Sequence, residues 1–305
     1  MDLYAGIEAG GTKFVCAIGN EQGQLVDEIS FPTAEPSGTL DQAISFIKRH
    51  EVKAIGLGAF GPLCLNPQDS EYGRILKTPK LKWQNFNVLQ YVSQAFPTLP
   101  IGFDTDVAVA ALGEQKWGAA QGIDDFIYLT VGTGIGGGVV VNNQIVHGLT
   151  HPELGHISVN RSEKELADFH GVCPIHGDCL EGMASGSAIN ARWRVESSSI
   201  LPSEHVAWDI ESDYLADALK NYILIVSPKR IILGGGVMKQ SQLFPMVRKK
   251  VQKRLGGYIS HKMIDDDIDS FIVPPRLSGK SGVLGAIVLA MRAVLARDKS
   301  VVALT

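Results

Sequence analysis

Two cysteines and a histidine stand close together in the middle of the chain, in the pattern C-x-x-H-x-x-C formed by Cys173, His176 and Cys179. A second histidine, His156, lies upstream at loop distance. Thiolate and imidazole are the ligands of structural zinc, and two-residue spacers let one knuckle of backbone present consecutive ligands. The four side chains therefore predict a tetrahedral zinc site.

The same side chains have an interpretation without a metal. Cys173 and Cys179 could be small core residues or form a disulfide, and His176 could be an ordinary hydrogen-bonded histidine. Gly171 and Pro174 make the segment a loop with little core in which to bury thiols. The metal is the favoured interpretation.

Two carboxylates are interleaved with these ligands. Glu153 precedes His156 by three residues, and Glu181 follows Cys179 by two. A metal that fixes the loop would also fix both carboxylates, which suits a substrate-binding surface. The alternative is that they hydrogen bond to the ligating imidazoles and hold their tautomers. Spacing leaves both interpretations open.

Three glycine turns follow predicted strands, at Gly10, Gly132 and Gly234. Glycine lets backbone N–H groups approach a phosphate, and the hydroxyls of Thr12 and Thr133 add neutral donors. None of the turns has the GxxxxGK[ST] pattern of a Walker P-loop. One glycine hairpin is usually only a turn, but three of them favour phosphate binding.

Asp106 stands at a predicted strand-to-helix junction. It could be the N-cap of the helix, which is a common use of aspartate. It could also be a general base that takes a proton from a hydroxyl attacking phosphorus. The sequence pattern does not choose between these roles.

Composition limits the class of protein. The 305 residues are enough for two domains, and 45% hydrophobic with 20% charged residues is typical of a globular protein. A formal charge of -4 provides no basic surface, so we expect neither nucleic acid nor membrane as a partner. The N-terminal residues do not resemble a signal peptide, so we expect a cytoplasmic protein with reduced cysteines, and Cys16 and Cys64 as core residues.

The chain repeats one pattern of elements. Strands are predicted at 3–9, 14–19 and 25–31, with a glycine turn between the first two, and again at 126–131, 137–141 and 144–147. This predicts an internal duplication and an α/β protein whose two similar halves enclose a cleft. Among the helices, Thr39 is predicted to cap one that runs to about His50, and others are predicted at 212–226 and 283–296.

Five motifs resemble, in order, signatures of the ROK family of repressors, open reading frames and sugar kinases: Ile7 to Lys13 (IEAGGTK), Asp104-Thr105-Asp106, Val131 to Gly138 (VGTGIGGG), Glu153 to His156 (ELGH) and Cys173 to Gly182 (CPIHGDCLEG). The resemblance runs nearly end to end. It is strongest to the bacterial fructokinase branch, which is similar at Phe60-Gly61-Pro62 and Thr78-Pro79-Lys80.

The resemblance implies an actin-like ATPase (ribonuclease-H-like) fold with two α/β domains, residues 1–117 with 284–305 and residues 118–283. It implies ATP-dependent phosphorylation of a hexose at the 6-hydroxyl, with D-fructose as the expected substrate and Asp106 as the general base. A mannokinase or broad hexokinase is the alternative within the family. A homodimer is expected by resemblance alone.

The resemblance also implies roles for individual residues. Phosphate or nucleotide contacts would come from Gly10, Gly11, Thr12, Lys13, Thr133, Gly134, Gly234, Gly235 and Gly236. The sugar would contact Gly61, Thr105, Asp106, Glu153, His156 and Glu181. Structural Zn²⁺ would be bound by His156, Cys173, His176 and Cys179, and Mg²⁺ would arrive with ATP, contacting Glu8.

Some positions depart from the common family pattern. Thr105 replaces an asparagine that often precedes the base, which argues against a glucokinase. Glu8 stands where many members have aspartate, and Ala108 replaces a frequent asparagine. Two rivals remain: a sugar-sensing repressor, for which there is no room before the first strand at Leu3, and a sugar-binding protein without catalysis.

Overall fold

The computed structural model describes residues 1–302 and the side chains of residues 1–297. The chain divides into two compact units. Unit 1 contains Met1–Gln121, Ile145–Pro152 and the residues from Arg276 onward, and unit 2 contains Gly122–Gln144 and Glu153–Pro275. Unit 1 thus also contains residues 118–121, 145–152 and 276–283, which the resemblance assigns to the second domain.

Each unit contains a five-stranded sheet. The strands are β1 (Leu3–Ala9), β2 (Lys13–Asn20), β3 (Leu25–Pro32), β4 (Ile55–Ala59), β5 (Ile101–Thr105), β6 (Phe126–Val131), β7 (Ile135–Val141), β8 (Gln144–Ile145), β9 (Arg230–Gly234) and β10 (Ile272–Val273). Most of the β1, β2, β4 and β6 residues are buried and apolar, as expected of strands covered on both faces.

The helices are α1 (Pro36–Ile47), α2 (Val88–Ala95), α3 (Asp106–Trp117), α4 (Leu180–Ala184), α5 (Gly186–Trp193), α6 (Val206–Val226), α7 (Leu243–Leu255), α8 (Lys262–Asp265), α9 (Ile268–Phe271) and α10 (Ser281–Val302). Short 3₁₀ turns lie at Leu81–Trp83, Leu154–His156, Ser198–Ile200 and Val237–Lys239. Within the described part of the chain, none of the helices combines the length and apolar character needed to cross a bilayer.

The two sheets have the same topology. Their strand orders are β3-β2-β1-β4-β5 and β8-β7-β6-β9-β10. In each, an antiparallel hairpin is extended by a strand that lies parallel to its first member, β4 beside β1 and β9 beside β6. The predicted internal repeat is confirmed by this correspondence, and so is the α/β class.

Several predicted helix ends are wrong. Thr39 is not an N-cap: α1 begins at Pro36, and the buried Thr39 hydroxyl accepts a hydrogen bond from the Ala34 N–H (3.1 Å). Proline suits the first turn of a helix because that turn needs no N–H donor. Helix α6 begins six residues early, at Val206, because the His205 imidazole accepts from the Ala207 N–H (3.1 Å) and serves as the cap.

The backbone of helix α10 packs directly against the backbone of the unit 1 sheet and of α3. A Cβ on Gly56 of β4 would lie 1.8 Å from the Ala286 carbonyl oxygen, and one on Gly285 would lie 1.5 Å from the Val109 carbonyl oxygen. Only glycine fits at so close an approach. This packing fixes the start of α10 beside β1 and β4.

A buried ion pair holds together the part of unit 2 next to the loop that contains Cys173 and Cys179, called here the cysteine-bearing loop. Arg192 donates from Nε to Glu165 (2.9 Å) and from Nη2 to the Met183 carbonyl (2.6 Å), and both charged side chains are fully buried. The Tyr214 hydroxyl donates to the second Glu165 oxygen (2.8 Å). These bonds join α4, α5 and α6 to the loop that contains Glu165.

Candidate active site

The carboxyl ends of three parallel strands meet at one edge of the unit 1 sheet. Ala9 of β1 pairs with Ala59 of β4, and Ala59 pairs with Thr105 of β5. The segments that follow these strands contain most of the unit 1 residues predicted to bind phosphate or sugar. Carboxyl edges of parallel strands are common positions for ligand sites in α/β proteins.

Asp106 is the first residue of α3, but it does not cap the helix. The cap is Thr105, whose Oγ1 accepts from the Ala108 N–H (3.1 Å). The Asp106 carboxylate accepts from the Val107 N–H (2.9 Å), and burial raises its pKa to about 6. The interpretation of Asp106 as the N-cap is therefore wrong, and its pKa lies in the range useful for a general base.

Glu8 lies near the end of β1 and is electrostatically coupled to Asp106. Burial, and next the Asp106 charge, raise the Glu8 pKa to about 7, while Lys13 and a backbone hydrogen bond with Val283 act in the opposite direction. A divalent cation beside these two carboxylates would favour the ionised form of both.

The turn after β1 is held by its own backbone and by Thr33. The Gly10 N–H donates to the Lys13 carbonyl (3.1 Å), and the Thr33 N–H and hydroxyl donate to the carbonyls of Thr12 (3.0 Å) and Gly10 (2.7 Å). A Cβ on Gly11 would lie 3.3 Å from the Lys80 Cε. Lys80 thus brings a second cationic side chain to this turn besides Lys13, a residue that sequence reasoning did not assign to the phosphate site.

The glycine turn between β6 and β7 in unit 2 is held by α5. The Gly186 N–H donates to the Gly132 carbonyl (2.7 Å), and the Ser187 hydroxyl donates to the Thr133 carbonyl (2.8 Å). The Thr133 side chain is exposed. Its hydroxyl is therefore available to a phosphate.

Glu181 contacts this same turn. Its Oε2 accepts from the Ile135 N–H (2.8 Å), and a Cβ on Gly134 would lie 2.5 Å from that oxygen. Because Glu181 belongs to α4, which begins directly after Cys179, the cysteine-bearing loop is linked to the glycine turn after β6. The sequence predicted Glu181 as a sugar contact but not this link.

The third glycine turn follows β9 in unit 2. Thr130 of β6 pairs with Gly234 in parallel register, so this turn lies beside the one after β6. Gly235 has a φ of +93°, and a Cβ there would lie 2.3 Å from the Val131 carbonyl oxygen. Glycine is required at this position.

The four predicted metal ligands come together in unit 2. One ligand atom from each of His156, Cys173, His176 and Cys179 lies within 4.8 Å of all the others. Their separations include 3.8 Å from Cys173 Sγ to His156 Nδ1, 3.7 Å from Cys173 Sγ to His176 Nδ1, and 3.5 Å from Cys179 Sγ to His156 Nδ1. Bond lengths of about 2.0–2.3 Å in a tetrahedron place ligand atoms about 3.3–3.8 Å apart.

The backbone of this loop is already shaped for the ligands. Cys173 and Gly177 exchange N–H to carbonyl hydrogen bonds of 3.2 and 2.9 Å, and Gly177 has a φ of +70°. All four cysteines are free, so the disulfide alternative is wrong. The four side chains could hold a metal ion, and the use of His156 Nδ1 would leave its Nε2 for another contact.

Two further histidines reach the carboxyl edge in unit 1. His147 Nε2 lies 3.1 Å from Asp104 Oδ1, and His151 Nε2 accepts from the Leu63 N–H (3.0 Å). No local sequence pattern indicates these contacts, because His151 and Leu63 are 88 residues apart.

Two five-stranded sheets with the same topology and glycine turns at their strand ends are typical of the actin-like ATPase fold. Asp106, at the start of α3, places a carboxylate at the end of β5. The sequence matches the ROK family over residues 4–293, and the chain belongs to that family. This confirms the resemblance drawn from the five motifs.

Proteins similar to this one match nearly all of the chain. A putative fructokinase of Bacillus subtilis (strain 168) is 45% identical over 298 residues, 98% of each chain, and a fructokinase of Pediococcus pentosaceus is 44% identical over 96% of this chain and 99% of its own. Among solved structures, a ROK family glucokinase from Streptomyces griseus in complex with glucose and AMPPNP has a TM-score of 0.76 at 26% identity, covering 95% of this chain and 99% of that one.

Proposed function

We propose that this protein phosphorylates a hexose at its 6-hydroxyl with ATP, and that the hexose is D-fructose. The observation that carries the proposal is Asp106, a carboxylate with a pKa of about 6 that opens α3 without capping it. The relatives named fructokinase, 35–45% identical over nearly the full chain, support the substrate.

In the proposed reaction Asp106 accepts the proton of the 6-hydroxyl as that oxygen attacks the γ-phosphorus. The bond from the γ-phosphorus to the β,γ-bridging oxygen breaks, and ADP leaves with the electron pair. Amides and hydroxyls of the turns at Gly10 and Gly132 would hold the phosphates, with Lys13 and Lys80 nearby in unit 1. Gly234, Gly235 and Gly236 would approach the adenosine.

Gly61, Thr105, Glu153, His156 and Glu181 would contact the sugar. Thr105 can donate from the hydroxyl whose oxygen caps α3. The Nδ1 of His156 faces the thiols, so its Nε2 would be the atom left for a sugar hydroxyl.

Zinc is the metal we propose for the four cysteine and histidine ligands, because two thiolates and two imidazoles at tetrahedral separations suit it best. Mg²⁺ would bind with ATP and be contacted by Glu8, where it would supply charge neutralisation of the transferred phosphate. The homodimer remains a prediction from resemblance, and the cytoplasmic location remains a prediction from the N-terminal sequence. Sedimentation velocity measures the oligomeric state.

Release of ADP from Mg-ATP, measured with fructose, mannose, glucose and galactose, tests the proposal. We expect turnover with fructose to exceed that with the other sugars. ADP release no higher than without sugar would reject a kinase. A preference for mannose or glucose would reject only the substrate, and sugar binding without ADP release would indicate a binding protein.

A further inference from the structure

Residues 145–152 form a short segment of unit 1 that interrupts unit 2 in the sequence. Its two histidines contact two segments at the carboxyl edge of the unit 1 sheet. His151 contacts the segment after β4 and His147 contacts the end of β5. Neither histidine takes part in the chemistry described above.

His151 is a buried hydrogen-bond acceptor. The residue is only 8% exposed, and its Nε2 accepts a hydrogen bond from the Leu63 N–H (3.0 Å). A ring nitrogen that accepts carries no proton, so the hydrogen of the neutral ring is on Nδ1. Burial lowers the His151 pKa, which favours this neutral form.

The imidazole also occupies the space where a side chain at position 61 would lie. A Cβ on Gly61 would be 3.2 Å from His151 Cε1 and 3.3 Å from its Nε2. The ring therefore contacts the backbone of Gly61 and holds the amide of Leu63, two residues further along. These contacts fix the course of residues 60–63, the loop after β4.

His147 acts on the neighbouring strand end. Its Nε2 lies 3.1 Å from Asp104 Oδ1, and the same oxygen accepts from the Thr105 N–H (2.8 Å). Asp104 is buried, and its hydrogen bond raises the His147 pKa. One segment thus contacts both the loop that contains Gly61 and the strand that leads to Asp106.

We propose that His151 is a positioning residue that sets the sugar-binding geometry of residues 60–63. The inference rests on the proposed function, in which Gly61 contacts the hexose. Hexoses differ in the position of single hydroxyls, so the placement of a few polar groups decides which one binds. His151 fixes the position of this loop through its contacts with the backbone of Gly61 and Leu63. Glu153 and His156, which are also proposed to contact the sugar, follow it closely in the chain.

Two substitutions separate the hydrogen bond from the packing. His151→Leu removes the acceptor and leaves the buried Leu63 N–H without a partner, whereas His151→Gln can present its Oε1 near the position of Nε2. We expect the KM for fructose to rise about tenfold or more in His151→Leu and to return most of the way in His151→Gln, with the KM for ATP within about twofold of wild type. His50→Leu is the matched control, since His50 is another unit 1 histidine and its Nε2 is hydrogen-bonded to Asp27 (3.0 Å). We expect it to change neither KM.

Amide hydrogen exchange of the peptide containing Leu63 measures how firmly this loop is held, and it does not depend on catalysis. The melting temperature of each variant is measured alongside it. We expect faster exchange at residues 60–63 in His151→Leu than in wild type and His151→Gln. Equal rises in both KM values, no recovery in His151→Gln, or unchanged exchange would overturn the proposal. If wild-type protein phosphorylates no hexose, the proposed function fails, and the exchange data still decide whether His151 fixes this loop.

Discussion

Thr105 and Asp106 have different roles at the start of α3. The threonine hydroxyl accepts the hydrogen bond that caps α3, and the carboxylate is left partly buried with a raised pKa. A cap is stabilising, whereas a desolvated carboxylate is destabilising when ionised. The two roles therefore predict opposite effects of removing the Asp106 charge.

We predict that Asp106→Asn lowers kcat by about 10²- to 10⁴-fold and yet raises thermal stability at pH 8. The folded pKa of about 6 exceeds the usual 3.8, so above pH 6 the native state holds an ionised group that the unfolded chain accommodates better. The gain is up to about 3 kcal/mol at pH 8 and shrinks as pH falls through 6 towards 4. Differential scanning calorimetry between pH 4 and pH 8 measures it. A loss of stability at pH 8 would show that the carboxylate supports the helix.

Residue roles could be predicted from the sequence only where the partners are near in the chain. Asp106 stood out as a carboxylate at a strand-to-helix junction, but its capping neighbour was missed because both residues are good N-caps. The bond from Ile135 to Glu181 spans 46 residues and that from Leu63 to His151 spans 88, and no local pattern encodes such contacts.

At the scale of elements, the cysteine-bearing loop and α4 form one unit of structure. The loop ends at Cys179, α4 follows, and Glu181 on α4 accepts from the Ile135 N–H at the end of the glycine turn after β6. A metal that holds the loop would therefore also hold one of the turns proposed to bind phosphate. Sequence spacing predicted this cluster well because three of its ligands lie within seven residues.

Metal analysis after dialysis should find about one zinc per chain, and Cys179→Ser should lower both the zinc content and the melting temperature, the latter by about 5 °C or more. The reason is that a structural zinc ion contributes its binding energy to the fold. Cys64→Ser is the matched control, because Cys64 is a free cysteine outside the cluster and should keep the metal. A zinc-free wild-type protein with an unchanged melting curve would contradict the structural role.

At the scale of the whole molecule, the internal repeat predicted the architecture better than the individual elements predicted their own ends. The two occurrences of strand, glycine turn and strand correspond to sheets with the same strand order, although their sequences have little in common. Helix ends were less predictable, because His205 caps α6 and Pro36 starts α1 where the sequence indicated other residues.

The packing of α10 on the unit 1 sheet gives a prediction about stability. We expect Gly56→Ala to destabilise the protein by about 3 kcal/mol or more, because the added methyl would lie 1.8 Å from the backbone oxygen of Ala286 and α10 would have to move. Gly38→Ala, on the exposed side of α1 with no atom within 4 Å of its Cβ position, should be neutral or stabilising by up to about 1 kcal/mol. Thermal and urea unfolding measure the free energy of unfolding of both variants relative to wild type. Equal stability of the two would show that α10 shifts freely.

Helix α10 is the last element of the described chain, yet it covers strands that are among the first. A ribosome makes β1 and β4 long before it makes Ala286, so the face of the sheet that α10 covers stays exposed on the nascent chain until α10 follows. Unit 1 can therefore complete its packing only after α10 has been synthesised, and until then an apolar surface of the growing chain is open to misassociation.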